Sequence, residues 1–253
     1  MAQEKDMQEL YAHMAEWHRF QRRDTDNIFN ALFYDKENLA TDEIMEFVQG
    51  TARFFDMPLP QVYDGCETFA KAVSRSMADY DICYNEKLLD GIGINNRDAF
   101  KLLMTHEVSH HVFRNVVFGA LANERWTHEL VCDYMAGVRS VMCSFATGKY
   151  KYAIGASKPS LTHPPGLYRK NVFLHGCKAV EELRKSCGGL QHTDVLDGFK
   201  EFIIQSRPMI DDEWYSFLEH VDGPVPAPVE TGIEDLPDSN LLKQLVLYGK
   251  IEL

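Results

Sequence analysis

The stretch LLMTHEVSHHVF, residues 102–113, packs three histidines and a glutamate into six positions of an otherwise apolar segment. Burying that many titratable groups is costly unless something pairs with them. A chain that keeps such a segment must therefore fold so that the polar groups converge while the rest is buried. On a helix, His106 and His110 sit about 40° apart around the axis and face one way. Glu107 falls at the edge of the same arc, and Met104, Val108 and Val112 cover the opposite side. Two neutral imidazoles are good zinc ligands, and a carboxylate beside them is the base that a metal-activated water needs.

Two histidines leave a zinc site incomplete, so the pattern demands a third ligand. THELVCDYMAGVRS supplies one: Glu129 follows His110 after eighteen intervening residues, and Asp133 lies one helical turn further on. That spacing suffices to end one helix, turn, and bring a second back alongside it. Glu129 then points at the metal, and Asp133 accepts the outer N–H of a ligand histidine, which sets its tautomer. Ala136, Gly137 and Ser140 fall on the face of Glu129, where small side chains let the two helices approach closely. His128 turns about 100° away from Glu129, and His111 also points off the metal face, so neither is expected to be a ligand. Phe113 and Val116 stand where a site with a third histidine further along the same segment would need glycine and histidine.

HExxH-x18-ExxxD resembles the gluzincin arrangement of zinc peptidases. The ExxCDxxAG form is most similar to the HtpX-like and CAAX-prenyl-endopeptidase group, whose usual form is ExxADxxA. LPQVYD with ETFAKAV is similar to that group's proline-led strand and following segment, and DICYNEKLLDGIGINNRDAFKLLMTHEVSHH to its edge strand and active-site helix. THPPGLYR matches its THPP-x3-R element. The likeness covers roughly residues 55–175. It implies an α+β, mostly helical fold: a zincin, minigluzincin-like core with a small antiparallel or mixed sheet and two packed metal-bearing helices. It implies one Zn2+ per chain on His106, His110 and Glu129, with Asp133 behind them. It also implies Glu107 as general base and His163 and Arg169 in the active site, where either donates to the developing oxyanion. Tyr84 and Tyr134 are the fallback donors. The implied activity is that of a zinc metalloendopeptidase acting on protein or peptide substrates. A repressor-cleaving peptidase of the ImmA/IrrE type, with one dedicated substrate, is the nearest alternative. A metal-stabilised binding protein that never turns over is the alternative of another class, against which the retained Glu107 speaks.

The rest of the chain bounds this reading. A net charge of −12 argues against nucleic acid or an anionic membrane as the main partner. No apolar run approaches 18 residues, so no membrane span is expected, although the relatives are usually membrane-embedded. The N-terminus lacks a basic stretch leading into an apolar core, so no secretory leader is expected, and the location is read as cytoplasmic. On that basis the six scattered cysteines are expected to be reduced thiols. Four divisions follow: an N-terminal helical segment over 1–54, the catalytic core over 55–175, C-terminal helices over 176–220, and an extended proline- and acid-rich tail over 221–253. Within the core, alternation over 78–89 predicts a strand with one polar edge, placed to pair with an extended substrate. Helices are expected from about 97 to 121 and from about 127 to 146.

Overall fold

The computed structural model describes residues 36–39, 42–76, 78–114, 121–186 and 192–221, with the backbone alone at 183–186 and 192–195. The first expected helix (residues 8–23), Thr41 as a cap and the tail beyond Val221 lie outside these residues. Helix α1, Asp42–Phe54, buries Ile44, Val48 and Ala52 on one side. Three short strands follow: β1, Gln61–Asp64; β2, Ala70–Ser76; and β3, Asp79–Tyr84. Helices α2, Glu86–Gly91, and α3, Arg97–Phe113, complete the first half. The second half is all helix: α4, Glu124–Met142; α5, Gly148–Gly155; α6, Gly166–Ser186; and α7, His192–Leu218. The fold is thus mostly helical with one small mixed sheet, as expected. Among the described residues no helix is long and apolar enough to cross a membrane.

The sheet corrects the expected role of the 78–89 segment. Strand order is β1-β3-β2, with β3 parallel to β1 and antiparallel to β2. β3 is therefore central, its pairing groups are used on both sides, and Tyr80 to Tyr84 are all buried. Its apparent polar edge is neutralised from within the sheet: Asp81 pairs with Arg75, and Cys83 is joined to Cys66 by a disulfide. That disulfide also overturns the expectation that all six cysteines are reduced; Cys132, Cys143 and Cys177 are free. The edge strands are β1 and β2.

Helix α3 runs through the middle of the molecule, touching α1, β2, β3, α4 and α5. Asn96 starts it, its side-chain oxygen accepting from the Ala99 N–H at 2.9 Å. Buried Thr105 and Ser109 donate back to the carbonyls one turn earlier, so the helix hides these hydroxyls at little cost. It ends at Phe113, short of the expected 121, and residues 115–120 lie outside the description. Helix α4 begins three residues earlier than expected because Asn123 caps it, accepting from the N–H groups of Arg125 and Trp126. Helix α5, between Gly148 and Gly155, carries no strong periodic signal and was not anticipated. Helix α6 runs unbroken across position 175, where the sequence reading placed a boundary.

Gly137 does not serve the contact between α3 and α4. A Cβ there would lie 2.1 Å from the Phe173 carbonyl oxygen on α6, and one at Gly176 would lie 2.2 Å from the Tyr134 carbonyl on α4. Ser140 also faces α6, its Oγ 3.3 Å from Cys177 Sγ. These small residues bring α6 onto α4, and with it Arg169.

Candidate metal centre

α3 and α4 bring the three expected ligands together. His106 Nε2 lies 3.3 Å from Glu129 Oε2, and His110 Nε2 lies 3.2 Å from Glu129 Oε1. Metal–nitrogen and metal–oxygen bonds near 2.0–2.1 Å in a tetrahedral site put neighbouring ligand atoms about 3.3 Å apart. The two separations match that edge. Glu129 Oε2 is buried and has no hydrogen-bond partner, which is costly for a carboxylate unless a cation sits against it. The donor set and spacing thus fit a divalent metal. His106, His110 and Cys132 also form a group that could hold a metal ion, with ligand atoms all within 4.8 Å of one another. Cys132 lies three residues after Glu129 on α4 and is buried.

A second layer of charge backs the ligands. Asp133 Oδ1 lies 3.0 Å from His106 Nδ1, although the two are not aligned for a hydrogen bond. Arg169 clamps Asp133 from α6, its Nε donating to Oδ2 at 2.7 Å and its Nη2 to Oδ1 at 3.1 Å. The same Nη2 reaches to 3.6 Å from Glu129 Oε2. Tyr150 on α5 donates its hydroxyl to Asp133 Oδ1 at 3.3 Å. Tyr150 has no sequence signal of its own, and α5 is what delivers it. Tyr84 packs on Phe100, and Tyr134 packs on Phe199. Neither lines the cleft described below, so the structure does not bring the two fallback donors to the site.

Burial opposes every charge in this cluster, and the partners decide the outcome. Burial is the strongest single influence on Glu129, yet His110 and His106 together hold its carboxyl well below the usual range. Asp133 is likewise held low against its burial, by Arg169 and His106. Burial also works against a charged His106, but Asp133 and Glu129 outweigh it and raise its pKa to about 10. Without a metal, a proton on His106 takes the position of the cation. Glu107, unlike Glu129 and Asp133, is shifted upward: burial raises its pKa, while the Ala72 backbone N–H from β2 hydrogen-bonds it. A carboxyl tuned upward is suited to giving its proton back. Burial followed by the nearby acids raises the Cys132 thiol well above its ordinary value.

The loop over 157–165 sets His163 at the rim. The Trp126 indole on α4 donates to the Ser160 carbonyl at 2.9 Å, and the Asn123 amide reaches the Leu161 carbonyl at 3.4 Å. Thr162 Oγ1 and His163 Nδ1 lie 2.8 Å apart, which leaves His163 Nε2 turned inward, 3.4 Å from Glu129 Oε1. His106, Glu107, His110, Glu129, His163 and Arg169 open into one cleft of about 1020 Å³, walled by β2, α3, α4 and α5. His128, expected away from the metal, lines the cleft with its ring edge-on to His110 and its Nε2 buried. His111 behaves as expected of a core residue: it stacks on Tyr80 at 3.7 Å and meets Ser74 Oγ at 2.8 Å through Nδ1. In comparisons with known proteins the chain matches no protein-family model, no curated protein and no solved structure.

Proposed function

We propose that the protein is a zinc-dependent metallopeptidase. The observation that carries this reading is the convergence of His106 and His110 on Glu129 at ligand-to-ligand distances, with Glu107 buried beside them in the wall of an open cleft. Glu129 is the third ligand in preference to Cys132, because its oxygens lie 3.3 and 3.2 Å from the Nε2 atoms of His106 and His110. Bound to His106, His110 and Glu129, zinc supplies a Lewis acid that lowers the pKa of water and polarises a carbonyl.

The chain's own residues do the rest. Glu107 takes a proton from the attacking water and passes it to the leaving nitrogen, and its raised pKa suits both transfers. His163, with Nδ1 engaged by Thr162, presents Nε2 to the oxygen on which charge develops. Arg169 is committed to Asp133 and keeps it against His106 Nδ1, which leaves His106 Nε2 for the metal. β2, not β3, offers the free edge along the cleft for an extended peptide.

The test pairs elemental mass spectrometry with cleavage of a peptide library. Wild-type protein and Glu107→Gln should each carry about one zinc per chain, with cleavage lost by about 10³-fold or more in the variant. Glu129→Ala should lose zinc and Cys132→Ala should keep it. Retained zinc with no cleavage of any peptide by the wild type would favour a metal-stabilised binding protein. Absence of zinc after reconstitution would remove both readings.

A further inference from the structure

Arg114 stands one turn beyond His110 on the cleft side of α3, so that His106, His110 and Arg114 follow one another at four-residue intervals along the cleft wall. Its Nη1 is buried and has no hydrogen-bond partner, and among the described residues no carboxylate pairs with it. A guanidinium in that state lacks the planar acceptor it is built to bind. Among the described residues, the cleft wall contains two acidic side chains, Glu107 and Glu129, and both are buried. The third arginine or lysine of the wall, Arg169, is taken by Asp133, so Arg114 and the exposed Lys71 of β2 are its uncommitted cations. In a chain of net charge −12, a cleft with cations at its mouth attracts anions against the average field of the molecule.

We infer that Arg114 is a specificity residue that binds a carboxylate of the peptide occupying the cleft. Four helical residues span about 6 Å, and an extended peptide advances about 3.3 Å per residue. The carboxylate therefore belongs about two residues from the bond at the metal. It is either the peptide's own C-terminus or an aspartate or glutamate side chain. Phe69, Ile92, Leu103 and Ile154 line the same cleft, so the preferred segment combines an apolar side chain with that acid. The inference rests on the metallopeptidase reading for the identity of the ligand.

Binding and turnover are measured separately. Zinc-loaded Glu107→Gln protein is titrated, by fluorescence anisotropy, with fluorescein-labelled hexapeptides of apolar and small residues. The peptides carry Asp or Asn at each position in turn and end in either a carboxylate or an amide. The acid-bearing probes should bind about tenfold more tightly than their amides, and adding Arg114→Gln should erase that difference. Loss on amidation of the C-terminus identifies the α-carboxylate; loss on Asp→Asn identifies a side chain. Arg114→Glu should invert the preference toward Lys-bearing probes, which covers the case in which Arg114→Gln fails to fold. Equal binding of acid and amide probes, or a preference that survives Arg114→Gln, would overturn the inference. Arg114-dependent binding with no cleavage by the wild type would sink the peptidase reading and leave carboxylate recognition standing.

Discussion

Glu129 is the residue on which the site turns: two imidazoles, the rim histidine and an arginine all lie within 3.6 Å of its two oxygens. Without a metal, a buried carboxylate so placed favours a proton on a neighbouring imidazole. His106 is the clearest case, with its pKa raised to about 10 from an ordinary 6.5. A group raised in the folded state stabilises fully below its unfolded pKa, and the contribution is lost as pH rises through the folded value. The metal-free protein should therefore lose stability steadily from about pH 6.5 to about pH 10. If zinc takes the proton's position, as proposed, its affinity should climb by up to tenfold per pH unit across that window, with about one proton released per zinc near pH 7.5. Calorimetric titration in buffers of different ionisation enthalpy measures the release; a buffer-independent heat would refute the linkage. Asp133 acts in the opposite sense: its lowered pKa contributes stability above the usual carboxylate range that disappears as pH falls below about 4.

At the scale of elements, the close crossing of α4 and α6 decides whether the ligands are oriented. Gly137 and Gly176 let each helix rest on the other's backbone carbonyl, and the crossing carries Arg169 to Asp133. Gly137→Ala gains helix propensity but drives a methyl into the Phe173 carbonyl. Overpacking of this kind should cost about 2–3 kcal/mol net, read as a lower midpoint in urea unfolding. Because the displaced helix carries Arg169, zinc affinity should fall as well. Unchanged stability and zinc affinity would show that α6 can shift without disturbing Asp133. β2 plays the matching part on the other wall: its Ala72 N–H holds Glu107 and its Ser74 hydroxyl meets His111 one turn further along α3. One edge strand thus holds α3 at two points, one turn apart.

Across the whole molecule, a metal on His106, His110 and Glu129 would tie α3 to α4, which already meet there through these side chains. A ligand that binds only the folded state at about 1,000 times its dissociation constant adds about 4 kcal/mol. In a chain of this size that corresponds to about 10 °C in melting temperature. Chelation should lower the melting point of the zinc-loaded protein by about that amount, reversibly on return of zinc, and a Glu129→Ala protein should not respond to either step. What the sequence determined alone is local: HExxH on an amphipathic helix, a second helix delivering Glu129 after eighteen residues, and THPP with its arginine near enough to matter. Each depends on spacing along a single helix or on a short turn, which the 3.6-residue period sets before any packing is known. Tertiary structure decided which strand is central, that Cys66 meets Cys83, that Gly137 serves α6, and that Tyr150 and Arg114 open into the cleft. Those outcomes depend on contacts between segments distant in sequence. Alternation along β3 is the same whether it has one neighbour or two, and a glycine in a helix does not say which helix will press against it.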